Sequence, residues 1–304
     1  MCVTCGCSDE ANVTLTNMET GVKTAIEEHH HTHTLPDGTV ITHSHHHQEK
    51  EHHQTHSHTL TEGTVVTHTH TSSTINSPQI HAQIHAKTIS LEEKLLQKND
   101  LIAAQNRGWF KGRNVLALNL VSSPGSGKTT LLTRTIKDLK DNLSISVIEG
   151  DQETANDAQK IRETGCKVVQ INTGTGCHLE ASMIERGYQE LKPEPNSILM
   201  IENVGNLVCP ALFDLGEYAK VAILSVTEGE DKPIKYPHMF RESKVMILTK
   251  IDLLPYVPFD LNLCLEYAKQ VNPKIEIFQV SSLTGEGLSN WYNWLKQTLK
   301  VETF

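Results

Sequence analysis

Residues 119–132, which read NLVSSPGSGKTTLL, constrain the fold of this chain more than any other stretch. The apolar run 115–121 is short and β-prone, residues 122–127 are mostly small, and a helical pattern begins at Lys128. A strand, a small-residue loop and a helix in that order are the context that a phosphate-binding loop requires. The alternative is a chance Gly-Ser loop, which the Gly-Lys-Thr-Thr sequence at this position disfavours.

The residue types in this loop suit a phosphate and its magnesium ion. Gly125 and Gly127 tolerate positive φ and carry no Cβ, so the backbone can wrap an anion. The loop amides and the helix N-terminus then point at the phosphates. Lys128 can reach the β- and γ-phosphates, and the Thr129 hydroxyl can bind Mg²⁺. The predicted contacts are Ser123, Gly125, Ser126, Gly127, Lys128, Thr129 and Thr130, while Ser122 departs from the first glycine of G-x-x-x-x-G-K-[ST].

Composition bounds the class of protein. The chain has 304 residues, enough for one or two domains, and its formal net charge of -9 disfavours a nucleic-acid partner. No apolar run is long enough to cross a bilayer, and the N-terminus lacks the basic start and apolar core of a signal peptide. We therefore expect a cytoplasmic protein with no membrane partner. The odd number of cysteines, 7, favours metal ligation or buried thiols over a disulfide framework.

The N-terminal region differs in composition from the rest of the chain. Of the 18 histidines, all but His178 and His238 lie between His29 and His85, which leaves 18 − 2 = 16 in this stretch. Large apolar residues are few there, so the segment cannot bury enough surface to offset the entropy of ordering. We predict that residues 1–88 form a mostly disordered metal-binding tail and that residues 89–304 form the phosphate-loop domain.

The tail contains an internal repeat that predicts two β-hairpins. Residues 31–45 match residues 56–70 at an offset of 56 − 31 = 25 positions. In the first copy, Pro-Asp-Gly at 36–38 suits a turn that places His31 opposite His43. An isolated hairpin is only marginally stable, so bound metal would have to help hold it.

The histidines of these hairpins are candidate metal ligands. Alternation would put the imidazoles of one copy on one face, where they could bind Ni²⁺, Zn²⁺ or Cu²⁺. The predicted nickel-storage ligands are His29, His31, His33, His43, His45, His56, His58, His68 and His70. The alternative is a soluble polar tail whose metal affinity is incidental.

From residue 89 onward, short apolar runs alternate with helical patterns. A capping box at residues 90–93 predicts a first helix that ends at about Asn106. Strands are predicted at 115–121, 145–149, 167–172, 198–201, 221–227, 245–249 and 275–280, and helices from 128 and at 154–163, 180–191, 261–270 and 287–300. This alternation predicts an α/β fold, a mostly parallel sheet with helices on both faces, which binds ligands at the carboxyl ends of its strands.

Three residues that follow predicted strands are candidates for sensing the γ-phosphate. Asp151 could bind Mg²⁺ or orient the attacking water on a switch segment, or it could instead cap the next helix. Glu202 suits the Mg²⁺ water shell, although GTPases usually carry aspartate at this place. The N–H of Gly205 is positioned to bond the γ-phosphate. Lys128, Asp151 and Glu202 form the predicted catalytic set.

Two loops near the C-terminus predict guanine as the base. Residues 249–252, TKID, resemble the guanine-reading Asn-Lys-x-Asp, although threonine replaces the asparagine. The aspartate would accept hydrogen bonds from guanine N1–H and the exocyclic amine, which adenine cannot supply, and the lysine stem would pack on the ring. Residues 280–287 resemble the loop that covers the guanine O6. The predicted base contacts are Thr249, Lys250, Asp252, Ser281 and Ser282, and their order and spacing favour GTP over ATP.

Two cysteines and a histidine lie beside these nucleotide motifs. Gly-Cys-His-Leu at 176–179 follows a predicted strand, and Cys209 comes seven residues after Glu202. Two thiolates and an imidazole form a soft-to-borderline ligand set that suits Ni²⁺ or Zn²⁺. From the residues alone, a buried cysteine pair beside a hydrogen-bonded histidine is an equally good interpretation.

The motifs together resemble a known family, the HypB-type GTPases that incorporate nickel into hydrogenase. The resemblance runs from about residue 89 to the C-terminus, through SSPGSGKTT, GDQ-x-T, GCHL and ENVGNLVCP. It is specific, because generic phosphate-loop proteins lack the Cys-His and Val-Cys-Pro pieces. Cys2, Cys5 and Cys7 also resemble a high-affinity nickel motif of some members, and the His-rich tract resembles a nickel-storage insert of others.

This resemblance implies a SIMIBI-class G domain that forms a homodimer with GTP bound. It implies Cys177, His178 and Cys209 as Ni²⁺ or Zn²⁺ ligands near the dimer interface. It further implies delivery of Ni²⁺ to the large-subunit precursor of [NiFe] hydrogenase, with a HypA-type zinc protein as partner. Two other interpretations stay open: a urease-type nickel GTPase, which the Cys-Pro and Cys-His-Leu pieces disfavour, and a nickel-storage protein with a vestigial G domain.

Overall fold

The computed structural model describes residues 13–25, 31–34, 40–43, 55–59, 65–69, 78–151, 156–174 and 176–301. The chain forms two compact units, one of Met1–Ile26 with Glu92–Phe304 and one of Glu27–Leu91. The elements are β1 (Thr14–Asn17), β2 (Lys23–Ala25), β3 (His31–Thr34), β4 (Val40–His43), β5 (Thr55–Thr59), β6 (Val65–Thr69), α1 (Pro78–Gly112), β7 (Val115–Ser122), α2 (Lys128–Leu139), β8 (Ile145–Asp151), α3 (Asn156–Arg162), β9 (Lys167–Asn172), α4 (Ala181–Leu191), β10 (Ser197–Glu202), β11 (Ala219–Ser225), α5 (Lys232–Lys235), α6 (Pro237–Glu242), β12 (Ser243–Thr249), α7 (Leu261–Val271), β13 (Glu276–Gln279) and α8 (Leu288–Val301), with 3-10 turns at Cys209–Ala211 and Ile251–Tyr256.

A nine-stranded sheet in the order β13-β12-β11-β7-β10-β8-β9-β1-β2 forms the centre of the first unit. The strands from β13 to β9 in that order are all parallel to their neighbours. β7 is buried along its whole length, as expected for a central strand with both faces covered. The predicted mostly parallel α/β sheet is therefore confirmed, and the carboxyl ends of its parallel strands meet at one edge.

Buried apolar clusters cover both faces of this sheet. On one face, Leu132 of α2 and Trp291 of α8 belong to the same buried cluster as Leu118 of β7. On the other, Ile184 of α4 clusters with Leu199 of β10. Successive residues of a strand point to opposite faces, which is why single strands contribute to clusters on both faces. None of the described helices is both long and apolar enough to cross a membrane.

The helices depart from the sequence prediction more than the strands do. Every strand predicted from residue 115 onward is present, and β9 matches its predicted ends. The first helix, however, begins at Pro78 instead of at the capping box and continues to Gly112, because proline is favoured in the first turn and none follows it in the helix. The short helices α5 and α6 were not predicted, since 4 and 6 residues show no helical period.

The hairpin of β1 and β2 lengthens the sheet at its β9 edge. β1 runs antiparallel to β9, with Thr14 opposite Asn172, so β1 begins at the carboxyl edge of the parallel strands. Val13 and Leu15 are buried in the apolar core on that side. The hairpin therefore belongs to the phosphate-loop domain and not to the predicted tail, because its two apolar side chains pack on a surface formed by distant parts of the chain.

The second unit contains two antiparallel hairpins whose backbone register agrees with the repeat. β3 pairs with β4 so that His31 lies opposite His43 and His33 opposite Ile41, as the turn position predicts. β5 pairs with β6 in the corresponding way, with His56 opposite His68. The turn at 36–38 and the candidate ligands Cys2, Cys5, Cys7, His29, His45 and His70 lie outside the described residues.

Replacing Leu15 by alanine tests whether the hairpin is part of the folded domain. Leu15 is 6% exposed within an apolar cluster, so we expect its truncation to lower the free energy of unfolding by about 2–3 kcal/mol. Val22→Ala is the matched control, because Val22 is 57% exposed on the same hairpin and should change stability by less than about 0.5 kcal/mol. Equal, small effects of both changes in denaturant titrations would show that the hairpin is not packed on the sheet.

Candidate functional site

The phosphate loop connects β7 to α2 at the carboxyl edge of the sheet. Gly125 and Gly127 have left-handed φ values of 78° and 89°, a region that favours glycine. Gly127 immediately precedes α2, so the loop amides and the unpaired N–H groups of the first helical turn form an anion-binding concavity. All the predicted phosphate contacts lie on this loop or turn: Ser123, Gly125, Ser126, Gly127, Lys128, Thr129 and Thr130.

Lys128 and Thr129 both contact the end of β10. The Lys128 Nζ donates a hydrogen bond to the backbone oxygen of Asn203 at 2.6 Å and lies 3.1 Å from Glu202 Oε1. The Thr129 hydroxyl donates to the same carboxylate oxygen at 2.6 Å and also lies 2.9 Å from Asp157 Oδ2. The structure thus brings together Lys128, Thr129 and Glu202, three of the residues singled out from the sequence.

The oxygen atoms around Thr129 fit a magnesium ion. A hydroxyl and carboxylates are the hard donors that Mg²⁺ prefers, and the buried Glu202 Oε2 has no hydrogen-bond partner among the described residues. Asp151 ends β8 on the same edge of the sheet. Residues 152–155, which follow it, lie outside the described part of the chain, so the alternative role of Asp151 as a helix cap stays a prediction.

Sequence reasoning did not identify Asp157 in the first turn of α3. Burial raises the pKa of this carboxyl, but hydrogen bonds from Lys160 and Thr129 outweigh burial and leave the pKa below its usual range. Asp157 is therefore an anion that can bind a cation directly or through water. An acid one turn into the helix after the second strand is a weak sequence signal, because surface helices often carry such residues.

Glu149 is a second acid that the motifs did not mark. It lies in β8 beside Glu202 of β10 and is 2% exposed. Burial first, and then the charges of Glu202 and Asp151, raise the pKa of Glu149 from 4.5 to about 9. The carboxyl is accordingly neutral at pH 7, so the edge carries one negative charge less than its composition suggests.

The loops predicted to contact the base lie against the phosphate loop. The Thr249 hydroxyl donates to the Ser126 oxygen at 2.5 Å, and the Lys250 Nζ donates to the Gly125 oxygen at 2.7 Å. Ile251 N donates to the Val280 oxygen at 3.4 Å, which joins the TKID loop to the loop predicted to cover guanine. Among the predicted contacts, Asp252 lies in the 3-10 turn Ile251–Tyr256, and Ser281 and Ser282 follow β13.

Gly205 is held close to the phosphate loop. A Cβ added to this residue would lie 3.1 Å from Pro124 Cγ. The backbone of the predicted second switch therefore approaches the loop more closely than a larger residue would comfortably allow, which is consistent with the predicted bond from its N–H to a γ-phosphate.

Cys177, His178 and Cys209 form a compact cluster of potential metal ligands. Their ligand atoms all lie within 4.8 Å of one another. The Cys177 and Cys209 sulfurs are 2.9 Å apart, too far for a disulfide, and Cys177 Sγ is 3.7 Å from His178 Nδ1. The sequence left open a hydrogen-bonded histidine beside a cysteine pair. His178 Nδ1 lies within hydrogen-bond reach of the Cys177 sulfur, whereas the buried Nε2 has no hydrogen-bond partner within the described residues.

The surroundings of the cluster fix the histidine ring. His178 stacks on Phe213 with ring centroids 3.9 Å apart, and the Glu180 carboxylate lies 3.7 Å from Nε2, beyond hydrogen-bond distance. The Asn206 amide donates to the Cys177 backbone oxygen at 3.3 Å. Two soft sulfur donors and one imidazole within 4.8 Å of one another form a donor set that suits Zn²⁺ or Ni²⁺.

Comparison with known proteins places the chain in a family. Residues 116–279 match the CobW/HypB/UreG nucleotide-binding domain. A hydrogenase maturation factor HypB of Rhizobium leguminosarum is 60% identical over 210 residues, covering 69% of this chain and 70% of that protein. The HypB of Escherichia coli K12 is 57% identical, also over 210 residues, covering 69% of this chain and 72% of its own length.

Solved structures agree with these sequence comparisons. The crystal structure of HypB from Archaeoglobus fulgidus has a TM-score of 0.63 at 35% identity, covering 67% of this chain and 99% of that one. The crystal structure of HypB from Helicobacter pylori in complex with nickel has a TM-score of 0.64 at 38% identity, covering 68% of this chain and 97% of that one. The chain therefore belongs to the CobW/HypB/UreG family of phosphate-loop nucleotide-binding proteins. Within that family it is of the HypB type, as its motifs predict.

Because the pKa of Glu149 is raised, the free energy of unfolding should depend on pH. Replacing Glu149 by glutamine should remove this dependence. Between pH 4.5 and about 9, the folded state holds a proton that the unfolded chain has lost, so the free energy of unfolding should fall as the pH rises across this window. In Glu149→Gln this slope should disappear, and at pH 8 the variant should be more stable than the wild type by at least about 1 kcal/mol.

Denaturant titrations of nucleotide-free protein from pH 5 to 9 measure this difference. Glu163→Gln, at an exposed position of the α3 region, is the control and should parallel the wild type. If wild type and Glu149→Gln also run parallel across the window, Glu149 is ionised in the folded protein and its assignment as a neutral acid is wrong.

Proposed function

We propose that this protein is a GTP-hydrolysing nickel metallochaperone that delivers Ni²⁺ to the large-subunit precursor of [NiFe] hydrogenase. One observation carries the proposal: a Cys177–His178–Cys209 cluster lies on segments that adjoin the phosphate-loop contacts at Glu202 and Asn203. The relatives are named hydrogenase maturation factors, which supports hydrogenase as the target. One similar structure is of a HypB in complex with nickel, which supports nickel as the metal.

The phosphate loop and the end of β10 would carry out hydrolysis. Lys128 would stabilise charge on the β- and γ-phosphates, and the loop amides would orient the γ-phosphate for attack. Thr129 and Glu202, with Asp151 or Asp157, would hold Mg²⁺, which neutralises charge on the transferred phosphoryl group when it is bound. Thr249, Lys250 and Asp252 would select guanine over adenine.

Hydrolysis would alter metal affinity because the two sites share a segment of chain. Cys209 lies seven residues after Glu202, and Gly205 between them approaches the phosphate loop. Loss of the γ-phosphate would relax this segment and displace one of the two thiolates. Such coupling is reciprocal, so bound metal must change nucleotide affinity by the same factor.

The N-terminal cysteines would exchange nickel with this cluster. The first described residue, Val13, is buried in the same apolar cluster as Leu179, which adjoins His178. Cys7 is six residues before Val13, so at most about 20 Å of extended chain joins them. Cys2, Cys5 and Cys7 would bind nickel tightly, and the histidine hairpins would store it.

The surface around Cys209 suits protein partners. Val208 is 56% exposed and Leu212 is 38% exposed, and both flank Cys209. Apolar side chains beside a metal site are a reasonable contact surface for a second copy of the chain in a GTP-dependent homodimer. A HypA-type zinc protein and the hydrogenase precursor are the other proposed partners.

Urease maturation is a second candidate function because of one relative. A Helicobacter pylori protein that is 40% identical over 223 residues is named a hydrogenase/urease maturation factor. The ligand cluster would serve either target equally, since both need nickel. Loss of hydrogenase activity with intact urease in a strain lacking this protein would decide for hydrogenase.

Nickel titrations in two nucleotide states test the coupling. In a background with Cys2, Cys5 and Cys7 replaced by alanine, thiolate-to-nickel absorbance reports Cys177 and Cys209. We expect nickel affinity to differ at least about 5-fold between GDP and a non-hydrolysable GTP analogue.

Cys177→Ala should abolish tight binding, whereas Cys264→Ala, buried in α7 outside the cluster, should not. Binding should weaken at acid pH, because the ligands must be deprotonated. Equal affinities in both states would refute the coupling.

Lys128→Ala distinguishes delivery from storage. Removing the ammonium that faces the phosphates should reduce GTP hydrolysis at least about 100-fold and abolish hydrogenase maturation in cells, while cellular nickel content stays unchanged. Lys137→Ala, exposed on the same helix, is the control and should keep both activities. If maturation survives Lys128→Ala, and nickel accumulation is lost only when the histidine tract is removed, storage is the main role.

A further inference from the structure

Asn203 hydrogen-bonds both to the phosphate-loop lysine and to the residue that follows His178. It directly follows Glu202 at the end of β10 and is 1% exposed. Its backbone oxygen accepts the Lys128 ammonium at 2.6 Å. Its side-chain Oδ1 accepts the backbone N–H of Leu179 at 3.2 Å. One residue thus binds the phosphate-contacting lysine with its backbone and the residue after His178 with its side chain.

Two further hydrogen bonds fix the orientation of the Asn203 amide. Its Nδ2 donates to Asn119 Oδ1 at 3.1 Å, and its Oδ1 also accepts the Val204 N–H at 3.0 Å. Asn119, which is fully buried in β7, in turn donates to Glu217 at 3.1 Å. Because every polar atom of the amide is bonded, the side chain cannot rotate without breaking buried hydrogen bonds.

The metal-site end of this connection is equally constrained. The Leu179 side chain lies so close to Gly150 that a Cβ added to the glycine would be 2.8 Å from it. Gly150 immediately precedes Asp151, a residue predicted to sense the γ-phosphate. Leu179 is therefore held between the end of β8 and the end of β10, and the adjacent His178 must follow any displacement of those strand ends.

We propose that Asn203 is a positioning residue that transmits the nucleotide state to the Cys177–His178–Cys209 cluster. When a triphosphate binds, Lys128 turns to the phosphate oxygens and its bond to the Asn203 backbone oxygen weakens. The end of β10 then shifts, and the Asn203 side chain carries Leu179 and His178 with it. This inference rests on the proposed nickel function, and it names the contact by which that coupling acts.

Amide hydrogen exchange in the wild-type protein tests the contact without any substitution. The Leu179 N–H is bonded to Asn203, whereas the Ala181 N–H, two residues on, is bonded to Asn99 Oδ1 at 2.9 Å. Exchange at Leu179 should change at least about 5-fold between the GDP and GTP-analogue states, and exchange at Ala181 should change less than about 2-fold. Identical protection of Leu179 in the two states overturns the proposal.

Substitutions of two equally buried asparagines provide the second test. Asn203→Ala should reduce the difference in nickel affinity between nucleotide states to less than about 2-fold, whereas Asn203→Asp, which keeps the acceptor for Leu179, should retain at least about 5-fold. Asn106→Ala is the matched control. Asn106 is fully buried and donates to the Ala181 and Leu215 oxygens but does not contact Lys128, so nickel affinity should fall by the same factor in both states.

The outcomes separate this inference from the proposed function. If the wild type shows no difference between nucleotide states, the proposed coupling itself is wrong. If the wild type shows the difference and Asn203→Ala keeps it, or Asn106→Ala removes it equally well, the role of Asn203 is wrong while the function stands. If Asn203→Ala does not fold, the exchange measurement on the wild type decides alone.

Discussion

The ion pair and hydrogen bond that Lys128 makes with the end of β10 are the contacts on which the rest of the site depends. The ammonium lies 3.1 Å from a Glu202 carboxylate that is 1% exposed. A buried charge cannot lose its partner without a large desolvation cost. Nucleotide can therefore bind productively only if its phosphates, with a cation, replace the partners that Lys128 and Glu202 give up.

Charge balance at this edge explains several features at once. Glu149, Asp151, Glu202 and Asp157 surround a single lysine of the phosphate loop. Like charges so close disfavour full ionisation, and Glu149, whose pKa is raised by burial and by the charges of Glu202 and Asp151, keeps its proton. The remaining carboxylates with the Thr129 hydroxyl offer a divalent cation hard donors. The same edge thus favours both magnesium and the anionic phosphates that magnesium accompanies.

The parts of the site that are local in sequence could be predicted, and the parts formed by distant segments could not. The phosphate loop, the TKID loop and the Cys-His pair are contiguous motifs, and strand alternation was enough to place the first two at the carboxyl edge of the sheet. No local pattern shows that β1 pairs with β9, that Thr249 bonds the phosphate loop, or that the Asn203 amide meets the Leu179 N–H. Those contacts depend on register and packing between segments 24 or more residues apart, and the Asn203–Leu179 bond, at 24 residues, has the shortest separation of the three.

Single-turnover kinetics can show whether loss of the γ-phosphate changes the metal site. Nickel-loaded protein with GTP is mixed with a chromogenic chelator, and nickel transfer is followed together with phosphate release. We expect the two signals to change with the same rate constant and to slow together when hydrolysis is slowed. Nickel transfer at one fixed rate, whether the protein holds GTP, GDP or a non-hydrolysable analogue, would contradict this expectation.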